Sequence, residues 1–139
     1  APTENVYTPY FSGAFPAQFD RTVTGEPIRF NGVTYARGIG VHSRSKLVFP
    51  VDPSQAGVFR TRYAIDASLS YADVDVRVSV DDKVVHEKKG FRSGVLSELV
   101  QVELPAGAKT LTLEVDYGKG YDVQDRLTWI EPALVRTKR

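Results

Sequence analysis

Apolar and polar residues alternate along most of this chain, and the alternation predicts β-strands. The clearest run spans residues 73–80, where valine stands at every second position between polar residues. Such a pattern places one face of a strand in a core and the other in solvent, and no window shows the sustained 3.6-residue period of a helix. Strands are predicted at residues 28–30, 33–35, 46–49, 59–65, 73–80, 83–87, 100–104, 111–115 and 127–135.

Turn signals separate these runs and indicate the fold class. Asn31 and Gly32 form a dipeptide typical of a hairpin turn, and Pro105 opens another turn. Without helices to cover it, an antiparallel sheet must pack against a second sheet. We therefore predict an all-β, antiparallel β-sandwich. We favour a jelly roll over a closed barrel, because the strand lengths are uneven and several loops are long.

Two glycines and a histidine lie between two short strand-like runs within residues 35–49. Gly38 and Gly40 allow backbone conformations and close approaches that other residues resist. The stretch predicts a sharp corner or a close crossing of strands, with His42 beside it.

The length of 139 residues is that of one domain. Residues 1–12 show no period and are expected to be a linker or flanking segment whose aromatic side chains dock on the domain. Residues 13–136 then form a single β-sandwich domain, and residues 137–139 a charged tail. Because the chain opens without Met, we expect a mature fragment or a domain of a longer protein.

Composition argues against several classes of function. The formal net charge is +1, with 18 basic and 17 acidic residues. A nucleic-acid-binding domain usually carries a strong basic excess, so we expect no nucleic-acid partner. No apolar run approaches the ~18 residues of a membrane helix, so we expect no membrane insertion. The absence of cysteine excludes disulfides and thiol zinc sites.

Residue pairs suited to catalysis are few. The chain lacks a Gly-x-Ser-x-Gly elbow, and its two histidines lie in separate strand contexts. Asp73 and Asp75 share a strand face at roughly 7 Å, which falls within the range of glycosidase carboxylate pairs. A solvated strand face gives the same spacing. A small enzyme using Asp73 and Asp75, or Asp122 and Asp125, stays open as an alternative.

Aromatic and planar polar side chains collect in the predicted loops, which suits sugar binding. An aromatic ring can face the C–H surface of a sugar, while polar groups bond its hydroxyls. Each residue also has a structural interpretation, such as Trp129 in the core or His42 as a buried, hydrogen-bonded histidine. The candidates are Asp66, Tyr71, Phe91, Arg92, Tyr117, Tyr121, Arg126 and Trp129.

A glycine- and aspartate-rich segment, residues 116–125, is a candidate calcium site. Asp116, Asp122 and Asp125, together with carbonyls near Gly118 and Gly120, could supply the oxygen ligands that Ca²⁺ prefers. The spacing does not fit an EF-hand, and a polar loop with aspartates capping its turns is the alternative.

Taken together, these residues resemble the NPCBM family, which is grouped with carbohydrate-binding module family 51. The resemblance runs from about Phe19 to Val135. It is strongest at residues 37–45, whose sequence RGIGVHSRS is similar to the family signature Lys-Gly-Ile-Gly-Val-His-Ala-x-Ser. It continues at residues 20–22, 27–32, 65–66, 76–82 and 93–96, and at Asp125 with Trp129.

The resemblance implies a jelly-roll sandwich of the galactose-binding-like type. It implies binding of galactose-type sugars without catalysis, usually as part of an extracellular glycoside hydrolase. Two positions depart from the family pattern, because Ala67 and Thr128 stand where the family usually has acidic residues. Both changes remove oxygen acceptors. A structural or protein-interaction module with a degenerate sugar site is therefore the alternative hypothesis.

Our first hypothesis is a non-catalytic, secreted or extracytoplasmic module whose partners are a glycan and other domains of a parent chain. His42 and Asp66 are expected to bind sugar hydroxyls, because a neutral imidazole donates and accepts while a carboxylate accepts. No cofactor is required, and Ca²⁺ at Asp116 and Asp122 stays open. The predicted ligand-binding residues are His42, Asp66, Tyr71, Tyr121, Asp125, Arg126 and Trp129, the last as platform or support.

Overall fold

A computed structural model describes residues 4–7, 17–22, 25, 27–30, 32–42, 44–54, 56–65, 73–92, 96–117 and 126–136. Within these ranges the chain forms twelve strands and no helix, so no helix there could cross a membrane. The strands are β1 Glu4–Tyr7, β2 Gln18–Phe19, β3 Ile28–Phe30, β4 Val33–Tyr35, β5 Gly38–His42, β6 Ser45–Pro50, β7 Gly57–Ile65, β8 Asp73–Val80, β9 Lys83–Arg92, β10 Val100–Leu104, β11 Thr110–Tyr117 and β12 Arg126–Arg136.

Two five-stranded antiparallel sheets form the body of the domain. The first sheet has the order β1-β6-β11-β8-β9, and the second has the order β10-β7-β12-β5-β2. From β5 onward the chain passes from one sheet to the other at every connection except the β8–β9 hairpin. The prediction of an antiparallel β-sandwich is confirmed.

The core lies between the two sheets and is built from the alternating apolar residues. The four valines of β8 are between 0% and 7% exposed, and they pack in one cluster with Leu113 of β11 and Trp129 of β12. Burying a valine or leucine side chain stabilises a fold by about 1.5–3 kcal/mol. The alternation that predicted the strands thus also supplies the main cohesion between the sheets.

A small hairpin, β3–β4, covers part of the outer face of the second sheet. Ile28 and Phe30 of β3 pack against Ala64 of β7 and Ile130 of β12, and these four buried residues form a second apolar cluster. The predicted turn is confirmed, since Gly32 adopts a φ of 79°, which glycine tolerates best.

Gly38 makes the close approach that the sequence predicted, but not the corner. A Cβ atom on Gly38 would lie 2.6 Å from Ile28 Cδ1 and 2.6 Å from the carbonyl oxygen of Trp129. Gly38 nevertheless belongs to the regular strand β5, without a left-handed φ. The expectation of a sharp corner is wrong, because this glycine makes room for the β3 side chain and the β12 backbone rather than for a bend.

Four segments that were not predicted as strands belong to the sheets: Glu4–Tyr7, Gln18–Phe19, Gly38–His42 and the end of β9. Glu4–Tyr7 pairs with β6 as an edge strand of the first sheet, although residues 1–12 were expected to be a linker or flanking segment. Strand β9 continues to Arg92, beyond the predicted end at residue 87. Edge strands form backbone hydrogen bonds with one neighbour only, so their side-chain pattern gives little indication that they are strands.

Candidate functional site

At one end of the sandwich, which we call the rim, the chain leaves one sheet for the other at four strand ends, those of β5, β7, β9 and β11. The connections join β5 to β6, β7 to β8, β9 to β10 and β11 to β12. The register places the adjoining strand ends level with one another: Arg126 is paired with His42, Leu127 with Ile65, and Tyr117 with Val74. An end where several loops meet is where a rigid sandwich usually carries its binding residues.

His42 lies at the rim, at the end of β5. It is directly paired with Arg126 at the start of β12, so the antiparallel ladder brings together two predicted site residues far apart in sequence. His42 is only 4% exposed. Its imidazole therefore offers a ligand little surface and forms part of the buried wall of the rim.

Five other predicted site residues lie outside the described residues. The strand ends on either side of these residues are described, and every one of these strand ends lies at the rim. Ile65 and Asp73 bound residues 66–72, and Tyr117 and Arg126 bound residues 118–125. The chain therefore enters and leaves both segments at the same end of the sandwich as His42. The five residues are Asp66, Tyr71, Tyr121, Asp122 and Asp125.

Trp129 is part of the core and not a platform for a ligand. Its side chain is 0% exposed, and its ring meets that of Tyr63 at a centroid distance of 5.5 Å and an interplanar angle of 65°. A ring without exposed surface cannot stack on a sugar, so the platform role predicted for Trp129 is wrong. The support role is consistent with its place on β12, three residues from Arg126 at the rim.

Asp116, a predicted metal ligand, is held in a network of ion pairs on the outer face of the first sheet. Its Oδ1 accepts a hydrogen bond from Arg44 Nε at 2.8 Å, and its Oδ2 accepts one from Arg77 Nη2 at 2.9 Å. Arg77 Nε also donates to Glu114 at 3.1 Å. Partial burial lowers the pKa of Arg77, but the bonds and charges of Glu114 and Asp116 outweigh it, so the pKa of Arg77 is raised.

This network leaves Asp116 poorly placed as a calcium ligand. Both of its carboxylate oxygens already face guanidinium groups, which Ca²⁺ would have to displace. Within the described ranges, no group of three or more histidine, cysteine, aspartate or glutamate side chains could hold a metal ion.

The catalytic alternative finds little support in the geometry. Asp75 Oδ1 accepts a hydrogen bond from the backbone N–H of Gly90 at 3.0 Å, on the edge between β8 and β9. This bond gives Asp75 a structural task, since it satisfies the backbone beside an irregular stretch of the β8–β9 ladder.

A second concave site, which the sequence analysis did not find, lies on the flank of the sandwich between β9 and β10. The cavity measures about 640 Å³. At its floor the Tyr63 hydroxyl and His86 Nε2 are 2.9 Å apart. Burial raises the pKa of Tyr63 to about 12 and lowers the pKa of His86, so both side chains are neutral at pH 7.

Only a weak signal for this cleft is present in the sequence. Tyr63 belongs to the inward face of an alternating strand, and His86 to an edge strand of the other sheet. Alternation indicates that Tyr63 points inward but not which strand edge it faces. A histidine within a predicted strand was the one available hint.

Comparison with known protein families and structures agrees with this architecture. The family described as NPCBM/NEW2 domain matches residues 6–135. No curated protein matches the chain. Modules of this family are non-catalytic accessory domains, which removes the enzyme hypothesis.

Solved structures with the same fold include several CBM51 modules. The CBM51 module of Clostridium perfringens GH95, in complex with methyl-galactose, is 25% identical with a TM-score of 0.75, over 97% of this chain and 94% of that one. A Clostridium perfringens ZmpB structure containing an M60 catalytic domain and two CBM51 domains is 22% identical with a TM-score of 0.82, over 97% of this chain.

The tandem CBM51 modules of Streptococcus pneumoniae Sp3GH98 are 18% identical with a TM-score of 0.80, over all of this chain. This chain spans 14% of the ZmpB chain and 46% of the Sp3GH98 chain. The family match over residues 6–135 and the two-sheet fold lead to one assignment. The chain belongs to the NPCBM/NEW2 domain family, and it is a carbohydrate-binding module whose fold is similar to that of CBM51 modules.

Proposed function

We propose that this domain binds a galactose-type or related glycan at the rim, as one module of a larger extracellular protein. The observation that carries the proposal is the set of strand ends at the rim: four strands end there before the chain crosses to the other sheet, and His42 is paired with Arg126. Two similar modules support the sugar class, since one was solved with methyl-galactose and another, the CBM51-2 of ZmpB, with GlcNAc.

The parent context rests on the same relatives. This chain spans 14% of the ZmpB chain, which contains an M60 catalytic domain, and 46% of the Sp3GH98 chain, whose tandem modules belong to a family 98 glycoside hydrolase. A module of this kind would hold a parent enzyme near its glycan. The domain itself would supply binding and no chemical step.

The expected affinity is weak. Methyl-galactose has about 13 non-hydrogen atoms, and at about −0.3 kcal/mol per atom its binding free energy is about −4 kcal/mol, a Kd of about 1 mM. His42 is buried at the rim, so groups other than its imidazole must supply most of the hydroxyl contacts.

Calorimetric titration with methyl-galactose and with GlcNAc, each with added Ca²⁺ and with EDTA, tests the proposal. Asp66→Asn is expected to weaken binding about 10-fold, because it removes the charge from a predicted hydroxyl acceptor. Asp82→Asn is the matched control, since Asp82 is exposed in the β8–β9 turn at the other end of the sandwich. Absence of binding at 20 mM of either sugar, in both conditions, would overturn the proposal.

A second candidate is a structural or protein-interaction module whose sugar site has degenerated. The full burial of Trp129 and near-full burial of His42 favour it, because neither ring is available to a ligand at the surface. The same titrations separate the two candidates. A folded protein that binds neither sugar, with or without Ca²⁺, would be this module.

A further inference from the structure

The cleft between β9 and β10 has the dimensions and the shape of a ligand site. Strand β9 is the edge of the first sheet and β10 the edge of the second, so the cleft is the open flank of the sandwich. Its volume of about 640 Å³ lies within the roughly 300–1,000 Å³ typical of small-molecule sites. Leu96 and Ser97, which precede β10, line one side of the cleft.

The floor of the cleft carries a neutral hydrogen-bonding pair. Tyr63 is 2% exposed, and its hydroxyl is bonded to His86 Nε2 at 2.9 Å. In either histidine tautomer the pair keeps unused capacity, because the phenol oxygen has a further lone pair and His86 Nδ1 is free to donate or to accept. Because Tyr63 is almost fully buried, the partly exposed His86 is the member of the pair that a ligand can reach, and its imidazole suits a neutral hydroxyl group, which both donates and accepts.

The floor is also rigid. The Tyr63 ring lies between that of Phe91, at 4.8 Å and 72°, and that of Trp129, at 5.5 Å and 65°. Edge-to-face contacts of this kind fix ring orientation. The Tyr63 hydroxyl is therefore held in place before a ligand arrives, which reduces the entropy lost on binding.

The walls combine exposed apolar groups with polar groups that can reach a ligand. Val85 is 44% exposed and Leu99 43% exposed, so the cleft offers apolar surface to the C–H groups of a sugar. Gln101 contributes an amide, Glu98 one negative charge, and Lys88 and Arg92 two positive charges. These donors and acceptors together can bond the hydroxyls of a polyhydroxylated ligand.

The cleft extends from the flank toward the rim. Arg92, at the end of β9, is paired with Asp73 at the start of β8, which bounds a rim segment. Val85 lies seven residues earlier on β9, about 23 Å away at about 3.3 Å per residue. A monosaccharide cannot occupy both places, whereas an oligosaccharide can run from one to the other.

We propose that the β9–β10 cleft is a second sugar subsite, which holds a neutral unit of an oligosaccharide whose terminal unit lies at the rim. The proposal rests on the proposed function, because it takes the rim as the primary sugar site. It adds that the domain recognises an extended chain rather than a single sugar.

Two adjacent valines provide a matched test. Val85 lines the cleft, whereas Val84 is 50% exposed and does not line it. Lacto-N-neotetraose, a tetrasaccharide of galactose, GlcNAc and glucose units, and methyl-galactose are the probes, titrated against the wild type and both variants. Val85→Asp should weaken tetrasaccharide binding at least fivefold and leave methyl-galactose binding unchanged. Val84→Asp should change neither, since it introduces the same charge one residue away from the cleft.

Amide chemical shifts of the 139-residue chain locate each ligand directly. The tetrasaccharide should move the amides of Gln101 in the cleft and of Leu127 next to the rim, and methyl-galactose only that of Leu127. Movement of Leu127 alone with the tetrasaccharide, or equal effects of the two valine variants, overturns the second subsite and leaves the rim. Movement of Gln101 alone overturns the rim and supports the cleft. If neither amide moves, both proposals fail.

Discussion

Replacement of Gly38 by alanine tests whether close contact, rather than a bend, explains the glycine. A Cβ atom there would lie 2.6 Å from Ile28 Cδ1 and 2.6 Å from the carbonyl oxygen of Trp129. Non-bonded carbon atoms pack at about 3.5–4.0 Å, so something must move by roughly 1 Å. The Trp129 oxygen belongs to the backbone of β12, which is bonded to both β5 and β7 and cannot move alone.

The size of the effect follows from two opposing contributions. Overpacking of this kind typically costs about 1–3 kcal/mol. Alanine in place of glycine would by itself stabilise the fold by about 0.4–1 kcal/mol, because the unfolded chain has fewer conformations to lose. We expect a net loss of about 1–2 kcal/mol. For a domain of this size the melting temperature should fall by about 3–8 °C.

Urea unfolding and thermal melts of Gly38→Ala, Ile28→Val and the double variant measure the contact. Ile28→Val deletes the Cδ1 atom that the new Cβ would meet. The loss of unfolding free energy caused by Ile28→Val should therefore be smaller by about 0.5–1 kcal/mol in the Gly38→Ala background than in the wild type. Gly107→Ala is the control, because a Cβ atom on Gly107 would meet nothing within 4 Å, while its φ of +97° is one that alanine rarely adopts. It should lose stability through its backbone alone and show no coupling to Ile28→Val. A Gly38→Ala protein as stable as the wild type would refute the contact.

Three further predictions concern the buried aromatic side chains. Because burial lowers the pKa of His86, the unfolded chain binds more protons than the folded one as the pH drops below about 6.5. The urea midpoint should therefore fall on acidification, and His86→Gln should reduce this dependence of the midpoint on pH. Because burial raises the pKa of Tyr63 to about 12, the unfolded chain ionises first, so stability should fall from pH 10 upward, and Tyr63→Phe should remove that decline. Trp129→Phe should cost about 1–3 kcal/mol in urea unfolding while sugar affinity stays within twofold.

Each of these predictions has an opposite result that would contradict it. A midpoint that rises on acidification in the wild type, or a slope unchanged by His86→Gln, would show that His86 is not the titrating group. An alkaline decline that persists in Tyr63→Phe would assign it to other side chains. Loss of sugar binding in a folded Trp129→Phe protein would mean that the tryptophan contacts the ligand after all.

The strands could be predicted where one face of a strand is buried and its partners are regular. In β8, alternating valines make the pattern visible without any tertiary information. The end of β9 was mistaken for a loop for a physical reason. The β8–β9 ladder has register shifts between Val74 and Val76 and between Val78 and Ser79, so extra residues in β9 interrupt its period. Phe91 is still buried opposite Val74.

The candidate sites were less accessible to sequence reasoning than the strands. The pairing of His42 with Arg126 depends on which strands are neighbours, and alternation carries no information about neighbours. The rim residues were predicted from the resemblance to a family and not from the positions of the strands. The contact of Tyr63 with His86 joins an inner strand of one sheet to an edge strand of the other, so only the packed sandwich reveals it.

The first and last strands determine how the domain can be tethered. Glu4, where β1 begins, is paired with Val48 near the end of β6, and Arg136, where β12 ends, is paired with Gly57 at the start of β7. Both positions are at the end of the sandwich remote from His42. Polypeptide attached through either strand would therefore join the domain at the end opposite the rim. A neighbouring domain packed at that end would leave the rim uncovered.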